Sequence, residues 1–393
     1  MPSERQLFLD HLAQTSEFPL MLEIEKAKGV YMYGKKGEKY IDLISGIGVS
    51  SLGHRHPVVT KAVKKQLNKY LHLMVYGEFV QSPQVKLAKL LSDNLPENLN
   101  STYLLNSGSE AIEGAMKLAK KVTGRLEIIS AKNAYHGSSH GALSIGGDEI
   151  FKNAFRPLLP GIKHIEFNNP NDLNLITEQT AAVILETIQG EGGVIIPDLE
   201  YMKALRKKCT EMGTLLVLDE IQVGVGRTGK LWAFEHFGII PDILVLAKGL
   251  GGGMPIGAFI SSRQNMNLFT NNPILGHIST FGGHPVSAAA AYATLKHIIS
   301  KKLYQKAEKF ERLFRNQLIH PKIKSIRSKG LIMAVEFDSF ETLKPIIDKA
   351  INLGVLTDWF LYNDKSMRIA PPLIITKKEI KKSCMVILNA IKN

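Results

Sequence analysis

Short apolar segments alternate with amphipathic helical patterns between about residues 85 and 262, and this alternation constrains the fold more than any other feature. Continuous apolar segments of this length are typical of strands that are buried on both faces. Strands that alternate with helices form a mostly parallel sheet with helices on each side. We therefore predict an α/β fold whose strands are Thr102–Leu105, Glu127–Ser130, Ala182–Glu186, Leu215–Asp219, Ile243–Leu246 and Ala258–Ser261.

The two ends of the chain show a different pattern. Residues 30–45 alternate apolar and polar side chains around Gly34 and Gly37, which predicts a hairpin with its turn at 34–37. A helix over Val286–Ile299, strand-like residues near Leu331–Phe337 and a closing helix predict a smaller α+β domain that packs with this hairpin. The predicted domains are a small one formed by residues 1–60 and 286–393, and a large one formed by residues 61–285.

Composition favours an ordinary globular protein over several other classes. The 393-residue chain has a formal charge of +13, but much of the excess lies between residues 301 and 329 with the spacing of a solvated helix face and its following loop. We therefore expect neither nucleic acid nor a membrane as a partner. The sequence has no apolar run long enough to span a bilayer and no signal-peptide pattern. Cys209 and Cys384 lack metal-site spacing, which predicts a reduced, cytoplasmic setting and no metal site.

Lys248 stands just after the apolar segment Ile243–Leu246 and directly before the glycine-rich turn Gly249–Gly253. A lysine amine at the end of a buried strand is costly unless it is used or paired. Desolvation lowers the pKa of such an amine and yields the neutral form, which attacks a carbonyl carbon. The stretch therefore indicates a Schiff-base lysine, with glycines that let the backbone approach a ring or a phosphate. The alternative is a lysine that extends from a strand end into solvent.

Two other strand ends carry groups suited to a phosphorylated ring. The turn Asn106–Glu110 opens a helix, so its backbone N–H groups and the hydroxyls of Ser107 and Ser109 predict a phosphate cradle, although an ordinary helix N-cap explains the same residues. Asp219 ends a strongly apolar strand and needs a partner, which a protonated pyridine nitrogen supplies. Because Asp219 precedes Lys248 by about one strand–helix–strand unit, both side chains can reach one site.

Further candidates have an ordinary structural explanation when each is taken alone: packing, a polar turn, a helix start or a solvent-facing arginine. Aromatic rings at strand ends can stack on a flat cofactor, and an arginine can hold a carboxylate through two parallel hydrogen bonds. These candidates are Tyr135 and His136 for stacking, Glu186 and Glu191 for positioning a ring or pairing with an arginine, Thr280 for a second phosphate contact, and Arg368 for a carboxylate.

In type, order and spacing, these motifs resemble the class III (subgroup II) pyridoxal-phosphate aminotransferases, most closely the acetylornithine/ornithine branch. The resemblance runs from about Gly29 to Ile375, and its matching stretches are NSGSEA, AYHG, ETIQGEGG, LVLDEIQVGVGRTG, LAKGLGGGMPIGA, STFGGHP and RIAPP. It implies the fold of type I pyridoxal-phosphate transferases and a homodimer with shared active sites. It also implies ping-pong transfer of an amino group from an ω-amino acid, ornithine or acetylornithine-type donor to a 2-oxo acid, expected to be 2-oxoglutarate.

The resemblance implies a role for each matching residue. Lys248 would carry the cofactor as an internal aldimine and shuttle a proton, and Asp219 would hold the pyridinium nitrogen. Arg368 would bind the α-carboxylate of glutamate or 2-oxoglutarate, and Glu191 would cover Arg368 when the other amine is bound. The remaining residues would contact the cofactor: Ser107, Gly108 and Ser109 at its phosphate, Tyr135 and Ile221 on the faces of its ring, His136 and Glu186 beside the ring, Gln222 at its hydroxyl, and Thr280 at the phosphate of the neighbouring subunit.

One departure from the family pattern leaves the donor open. Acetylornithine and ornithine enzymes carry an arginine where this chain has Ser138, so a carboxylate contact of those enzymes is missing. A 4-aminobutyrate or diamine transaminase and an aminomutase on the same scaffold are therefore alternatives. A basic binding protein without catalysis is an alternative from another class.

Overall fold

The computed structural model describes residues 2–392. Within these residues the chain forms fifteen β-strands, which pair into one seven-stranded and two four-stranded sheets. In chain order they are β1 Ile24–Lys28, β2 Tyr31–Gly34, β3 Lys39–Asp42, β4 Ser101–Leu105, β5 Glu127–Ala131, β6 Ile162–Ile165, β7 Thr180–Glu186, β8 Leu215–Asp219, β9 Ile243–Leu246, β10 Gly257–Ser261, β11 Ser325–Ser328, β12 Met333–Glu336, β13 Val355–Leu356, β14 Asp358–Phe360 and β15 Asn363–Ile369.

Twelve α-helices and several short 3₁₀ helices lie in the same described range. The α-helices are α1 Glu4–His11, α2 Ser45–Gly48, α3 Pro57–Leu67, α4 Ser82–Ser92, α5 Gly108–Thr123, α6 His140–Ser144, α7 Leu199–Glu211, α8 Arg263–Met266, α9 Pro285–Ser300, α10 Ala307–Gln317, α11 Phe340–Asn352 and α12 Lys377–Lys392. The 3₁₀ helices are Asn153–Phe155, Pro170–Leu175, Ala233–His236, Lys248–Leu250, Asn267–Thr270 and Leu303–Lys306.

The seven-stranded sheet has the order β4-β10-β9-β8-β7-β5-β6. Strands β5 to β9 pair in parallel, and β10 runs antiparallel to both of its neighbours. Alternate residues of one strand join different apolar clusters: Val217 packs on the side of α5, whereas Leu216 and Leu218 join the core on the other side. The predicted α/β fold, with a mostly parallel sheet covered on both faces, is confirmed.

All six predicted strands are present, and the structure adds β6 at the edge of the sheet. Strand β6 is not predicted from the sequence, because two of its four residues, Lys163 and His164, are polar and interrupt the apolar run. An edge strand pairs on one side only, so its residues need not be continuously apolar.

The two smaller sheets bring distant parts of the chain together. Strands β1, β2 and β3 form a meander, and β13 adds to β3 in parallel, which joins the N-terminal hairpin to the C-terminal region. The turn predicted at 34–37 is present, and Gly37 adopts a φ of 88°, which favours glycine. The other small sheet has the order β11-β12-β15-β14 and packs with α11. The predicted smaller α+β part is therefore present, and the domain bounds 1–60, 61–285 and 286–393 stay a prediction.

Within residues 2–392, no helix combines the length and the apolar character that crossing a bilayer requires. Cys209 and Cys384 are buried, unpaired thiols, and burial raises the pKa of each to about 12. Neither is therefore suited to act as a reactive thiolate.

Candidate active site

One cavity of about 480 Å³ lies where five strands of the large sheet end, since its lining residues directly follow β4, β5, β7, β8 and β9. Ligands of open α/β sheets bind at this edge. The predicted site residues that line the cavity are Ser107, Gly108, Ser109, Tyr135, His136, Glu186, Glu191, Asp219, Ile221, Gln222 and Lys248.

The N-terminus of α5 forms one end of the cavity. Ser107 is the N-cap, and its Oγ accepts a hydrogen bond of 3.2 Å from the backbone N–H of Glu110. Ser107 is exposed, and its own hydroxyl proton has no acceptor within residues 2–392. The residue therefore caps the helix and also presents a donor to the cavity, beside backbone N–H groups and the positive end of a sixteen-residue helix. The two interpretations of this turn are compatible.

Lys248 is half-buried and follows β9 with a φ of 39°, in the left-handed region that non-glycine residues rarely adopt. Such a conformation costs about 1–3 kcal/mol and is typical of functional sites. Burial lowers the pKa of the amine from its usual value, although the charges of Glu191 and Asp219 oppose this shift. Lys248 Nζ therefore approaches the neutral, nucleophilic form.

Asp219 ends β8, is 4% exposed and already has two partners. Its Oδ1 accepts from the backbone N–H of Ile221 at 2.9 Å, and its Oδ2 lies 2.8 Å from His136 Nδ1. His136 is buried as well, and its Nε2 has no hydrogen-bond partner in the part of the chain that the structure describes. This leaves one buried polar atom unsatisfied at the cavity wall, which a ligand or water would satisfy.

Glu186 ends β7 and joins two loops of the cavity. Its Oε1 accepts from the backbone N–H of Tyr135 at 3.1 Å, and its Oε2 accepts from that of Gly190 at 2.7 Å. Burial raises the pKa of Glu186 to about 7, since the nearby Asp219 adds to the shift while His136 opposes it. Glu186 thus fixes the loop that presents the Tyr135 ring.

Ile221 and Gln222 form the wall between the cradle and the acidic residues. A Cβ atom added to Gly108 would lie 2.7 Å from Ile221 Cδ1, so the absence of a side chain at Gly108 lets the cradle pack on Ile221. Gln222 Nε2 donates to Glu191 Oε1 at 3.0 Å. Gln222 is thereby oriented through its amide nitrogen.

Arg368 on β15 and Glu191 form a buried bidentate ion pair. Arg368 Nη1 donates to Glu191 Oε1 at 2.9 Å, and Nη2 donates to Oε2 at 2.8 Å. Burial opposes the charge on both groups, but their mutual attraction outweighs it, so the pKa of Glu191 is lowered and that of Arg368 is raised. Arg368 does not line the cavity in this arrangement, because Glu191 occupies its guanidinium.

Further residues that the sequence did not indicate lie around Arg368 and the cavity. Asp358 lies opposite Arg368 on β14, with its Oδ1 3.0 Å from Arg368 Nε, and burial raises the pKa of Asp358 to about 6. The backbone oxygen of Trp359 accepts from Nη2, and the guanidinium carbon lies 4.7 Å from the centroid of the Phe360 ring. The ring of Tyr362 lies 6.4 Å from that of Tyr135. Strand β14 has only three residues and β15 begins with four polar ones, so no local signal indicated this hairpin or its position beside the cavity.

Thr280 is exposed and does not line the cavity of its own chain. The adjacent Ser279 does approach the site, because its Oγ accepts from Asn106 Nδ2 at 3.1 Å. The structure of one chain therefore brings the loop of Thr280 next to the cradle without placing Thr280 inside the cavity.

Comparison with known proteins agrees with this geometry. The model of the family described as aminotransferase class-III matches residues 12–391. The chain belongs to the class-III aminotransferases. The acetylornithine aminotransferase of Caldanaerobacter subterraneus subsp. tengcongensis is 38% identical to it over 384 residues, which are 95% of this chain and 94% of that protein. The acetylornithine aminotransferase of Bacillus subtilis is 39% identical over 376 residues, 94% and 95% of the two chains.

Solved structures extend the similarity to the whole fold of the aminotransferase. The ornithine aminotransferase of Toxoplasma gondii, crystallised with partial occupancy of pyridoxal phosphate at its active site, superposes with a TM-score of 0.91 at 31% identity. The match covers 98% of this chain and 92% of that one. The predicted family and enzyme class are confirmed.

Proposed function

We propose that this aminotransferase uses pyridoxal 5'-phosphate to transfer an amino group from an acetylornithine- or ornithine-type ω-amino donor to a 2-oxo acid, by a ping-pong mechanism. The observation that carries the proposal is the meeting of Lys248, Asp219 and the N-terminus of α5 in one cavity. These groups match the aldehyde, the ring nitrogen and the phosphate of the cofactor. The family and a solved relative with that cofactor support the same conclusion.

The residues of the cavity fit pyridoxal phosphate. The turn at Ser107 offers hydrogen-bond donors to an anion, and Asp219 offers a carboxylate to a ring nitrogen. His136 Nε2 is a buried polar atom without a partner among the described residues, and a ligand in the cavity could supply that hydrogen bond. When bound, the cofactor withdraws electrons from the substrate Cα–H bond into its ring.

Each residue then has a defined task. Lys248 Nζ would hold the cofactor and would take the proton from the substrate Cα. Asp219 would keep the ring nitrogen protonated, since a buried carboxylate beside that nitrogen favours its charged form. Tyr135 and Ile221 would enclose the ring, and Gln222 would orient its hydroxyl.

The pair of Arg368 and Glu191 sorts the substrates. A substrate whose reacting amine carries no neighbouring carboxylate binds while the pair is closed, as it is in this structure. A 2-oxo acid presents a carboxylate that replaces Glu191 on the arginine. 2-Oxoglutarate stays the predicted acceptor.

A homodimer with shared sites is the second part of the proposal, and Thr280 is its key residue. Exposed apolar side chains lie close to Thr280: Phe281 is 54% exposed, and Val80, in the neighbouring segment that shares a groove with Ser279, is 95% exposed. A second copy that covers this surface buries these side chains and brings its own Thr280 to the cradle. A cytoplasmic setting likewise stays a prediction.

Mixing two variants, at a pyridoxal phosphate concentration too low to load Thr280→Ala, tests the shared site. Thr280→Ala lacks the phosphate contact that it gives to its partner, and Lys248→Ala lacks the amine in its own cavity. Hybrid dimers then contain one intact site, so an equimolar refolded mixture should regain about a quarter of wild-type activity. A mixture as inactive as its components would contradict shared sites.

Curated relatives named acetylornithine aminotransferase favour that type of donor over a 4-aminobutyrate transaminase, a diamine transaminase or an aminomutase. A binding protein without catalysis is not favoured either.

Ser138 stands where acetylornithine and ornithine enzymes carry an arginine. Its hydroxyl hydrogen-bonds the hydroxyl of Tyr135 at 3.3 Å and offers no positive charge to a distal carboxylate of the donor.

Spectroscopy of the purified protein with pyridoxal phosphate tests the function. We expect a visible cofactor band that disappears when a single amine donor is added and returns with 2-oxoglutarate. N-acetylornithine, ornithine, 4-aminobutyrate, lysine and glutamate are compared, and the fastest donor names the substrate. A band that no amine changes would contradict transamination by these donors, and Lys248→Ala serves as the control that cannot react.

A further inference from the structure

We propose that Glu113 is a positioning residue for the cofactor. Glu113 accepts the hydroxyl proton of Ser139, so that Ser139 in turn accepts the hydroxyl proton of Ser109. These contacts hold the loop 135–140 against the first turn of α5. The hydroxyl donor of the phosphate cradle is then Ser107 and not Ser109. This inference rests on the proposed function, because it concerns how the same cavity holds pyridoxal phosphate.

A single oxygen of Glu113 collects three hydrogen bonds. Glu113 Oε1 accepts from the hydroxyl of Ser139 at 2.7 Å and from the backbone N–H groups of Gly141 and Ala142 at 2.8 and 3.1 Å. Backbone N–H groups can only donate, so this oxygen acts as an acceptor. Glu113, on α5, therefore holds the start of α6 and takes the only hydroxyl proton of Ser139.

The direction of the hydrogen bond between Ser109 and Ser139 follows, because Ser139 has only one hydroxyl proton. Ser109 Oγ lies 2.6 Å from Ser139 Oγ, and Ser139 has already given its proton to Glu113, so Ser109 is the donor. The backbone N–H of Ser139 also donates to Ser109 Oγ at 3.0 Å. The proton of Ser109 thus points at the loop, and its hydroxyl has only a lone pair left to offer a phosphate oxygen.

The loop and the helix are in direct contact at this point. Gly137 adopts a φ of 127°, and a Cβ atom added there would lie 2.7 Å from Ser109 Cβ. Only glycine permits such an approach. The loop is held at its start by Glu186, which bonds Tyr135, and at its end by Ser109 and Glu113.

The consequence is a division of labour between two serines that look equivalent in the sequence. Ser107 acts on the phosphate, because its hydroxyl proton has no acceptor in the described chain. Ser109 and Glu113 act on the ring, because the loop that they fix carries Tyr135 and His136 to the cavity wall. The backbone N–H of Ser109 remains available to the phosphate.

Binding of pyridoxal phosphate and of pyridoxal, which lacks the phosphate, separates the two roles. We expect Ser107→Ala to weaken pyridoxal phosphate about tenfold and to leave pyridoxal unchanged. Ser109→Ala should weaken both ligands by the same factor. Ser139→Ala and Glu113→Ala should weaken pyridoxal at least as much as pyridoxal phosphate, because they also release the Ser109 proton, which can then donate to the phosphate. Glu113→Gln should restore wild-type binding of both, because its amide oxygen can accept the same three hydrogen bonds.

Circular dichroism of the bound cofactor gives a second measurement, since it reports the orientation of the ring. We expect its visible signal to change in Glu113→Ala and Ser139→Ala and to keep its wild-type form in Ser107→Ala and Glu113→Gln. Thermal unfolding of each cofactor-free variant shows whether the fold is intact, and Ser139→Ala tests the contact between the loop and α5 by removing a single oxygen atom.

Two results would overturn the inference. One is a Ser109→Ala variant that loses affinity for pyridoxal phosphate alone, as Ser107→Ala should. The other is a folded Glu113→Ala variant that binds both ligands as the wild type does. A wild-type chain that binds no pyridoxal phosphate would instead refute the proposed function.

Discussion

The cavity and the buried ion pair of Arg368 and Glu191 beside it differ in how far their polar groups are already satisfied. In the cavity Asp219 has two partners, but neither Lys248 Nζ nor His136 Nε2 has a hydrogen-bond partner among residues 2–392. In the ion pair, Arg368 is bonded by both oxygens of Glu191 and by the backbone oxygen of Trp359. The cavity can therefore receive a ligand as it stands, whereas the ion pair must open before Arg368 can bind one.

Under the proposed function, this difference would let one pocket serve two kinds of substrate. Removing one partner of a buried ion pair leaves an uncompensated charge, at a cost of about 3–5 kcal/mol. A substrate carboxylate that takes the place of Glu191 restores the pair, but an uncharged group does not. Under the proposed function, the closed pair would therefore favour a substrate carboxylate over an uncharged group at Arg368.

Loss of the Lys248 amine should have the largest effect on activity. We expect Lys248→Ala to lower kcat on the order of 10⁴-fold, since both the attachment and the proton transfer are lost. Single-turnover rates of the donor half-reaction provide the measurement. Residual turnover within tenfold of the wild type would contradict the role of Lys248.

Neutralising Asp219, which lines the same cavity, should have the next largest effect on activity. Asp219→Asn keeps the size of the side chain but removes the charge that holds the ring nitrogen protonated, so kcat should fall about 10²- to 10³-fold. Asp242→Asn, on an aspartate outside the cavity that pairs with Arg206, is a matched control. Equal losses in the two variants would indicate a general effect of charge.

Changing the ion pair of Arg368 and Glu191 should alter the selectivity between donors rather than abolish activity. With Glu191→Gln, a substrate carboxylate no longer competes with a charged partner for Arg368. We expect the rate with glutamate, relative to a donor without a carboxylate beside its amine, to rise roughly a hundredfold. Single-turnover measurements with both donors check this ratio.

Arg368→Lys is the companion variant, because lysine keeps the charge and loses the two-pronged geometry. It should slow the reaction of glutamate and spare the other donor. An unchanged ratio in both variants would show that the pair plays no part in selection.

The smallest effect should appear in the pH dependence of stability. Burial raises the pKa of Glu186 to about 7, so the folded chain binds a proton that the unfolded chain releases near its ordinary value. This contribution is present below the unfolded pKa and is lost as the pH rises through 7. Between pH 5 and pH 7 the cofactor-free wild type should lose about 2 kcal/mol of unfolding free energy relative to Glu186→Gln.

Urea unfolding at several pH values measures this difference. Glu200→Gln replaces an exposed glutamate and should follow the wild type at every pH. Parallel curves for the wild type and Glu186→Gln would contradict the raised pKa.

The sequence predicts the residues of the cavity better than the residues around Arg368, and the reason is physical. Asp219 and Lys248 follow apolar strands, and parallel strands bring their carboxyl ends to one edge, so local patterns are sufficient to place them together. Asp358 and Tyr362 reach the site through the β14–β15 hairpin, whose position depends on contacts distant in sequence. Nothing local indicates that Glu113 reaches Ser139.

Thr280 marks a different limit. A hydroxyl in a glycine-rich turn is compatible with a phosphate contact, but its own chain leaves it exposed outside the cavity. Its position agrees with a site completed by a second copy, which neither local pattern nor the fold of one chain determines.

The site of cofactor attachment tests the central claim most directly. The protein is saturated with pyridoxal phosphate, the link to the protein is made permanent by borohydride reduction, and peptides are analysed by mass spectrometry. We predict that the added mass lies on the peptide that contains Lys248 and that it is absent from Lys248→Ala. Attachment to another lysine, or to none, would contradict the account.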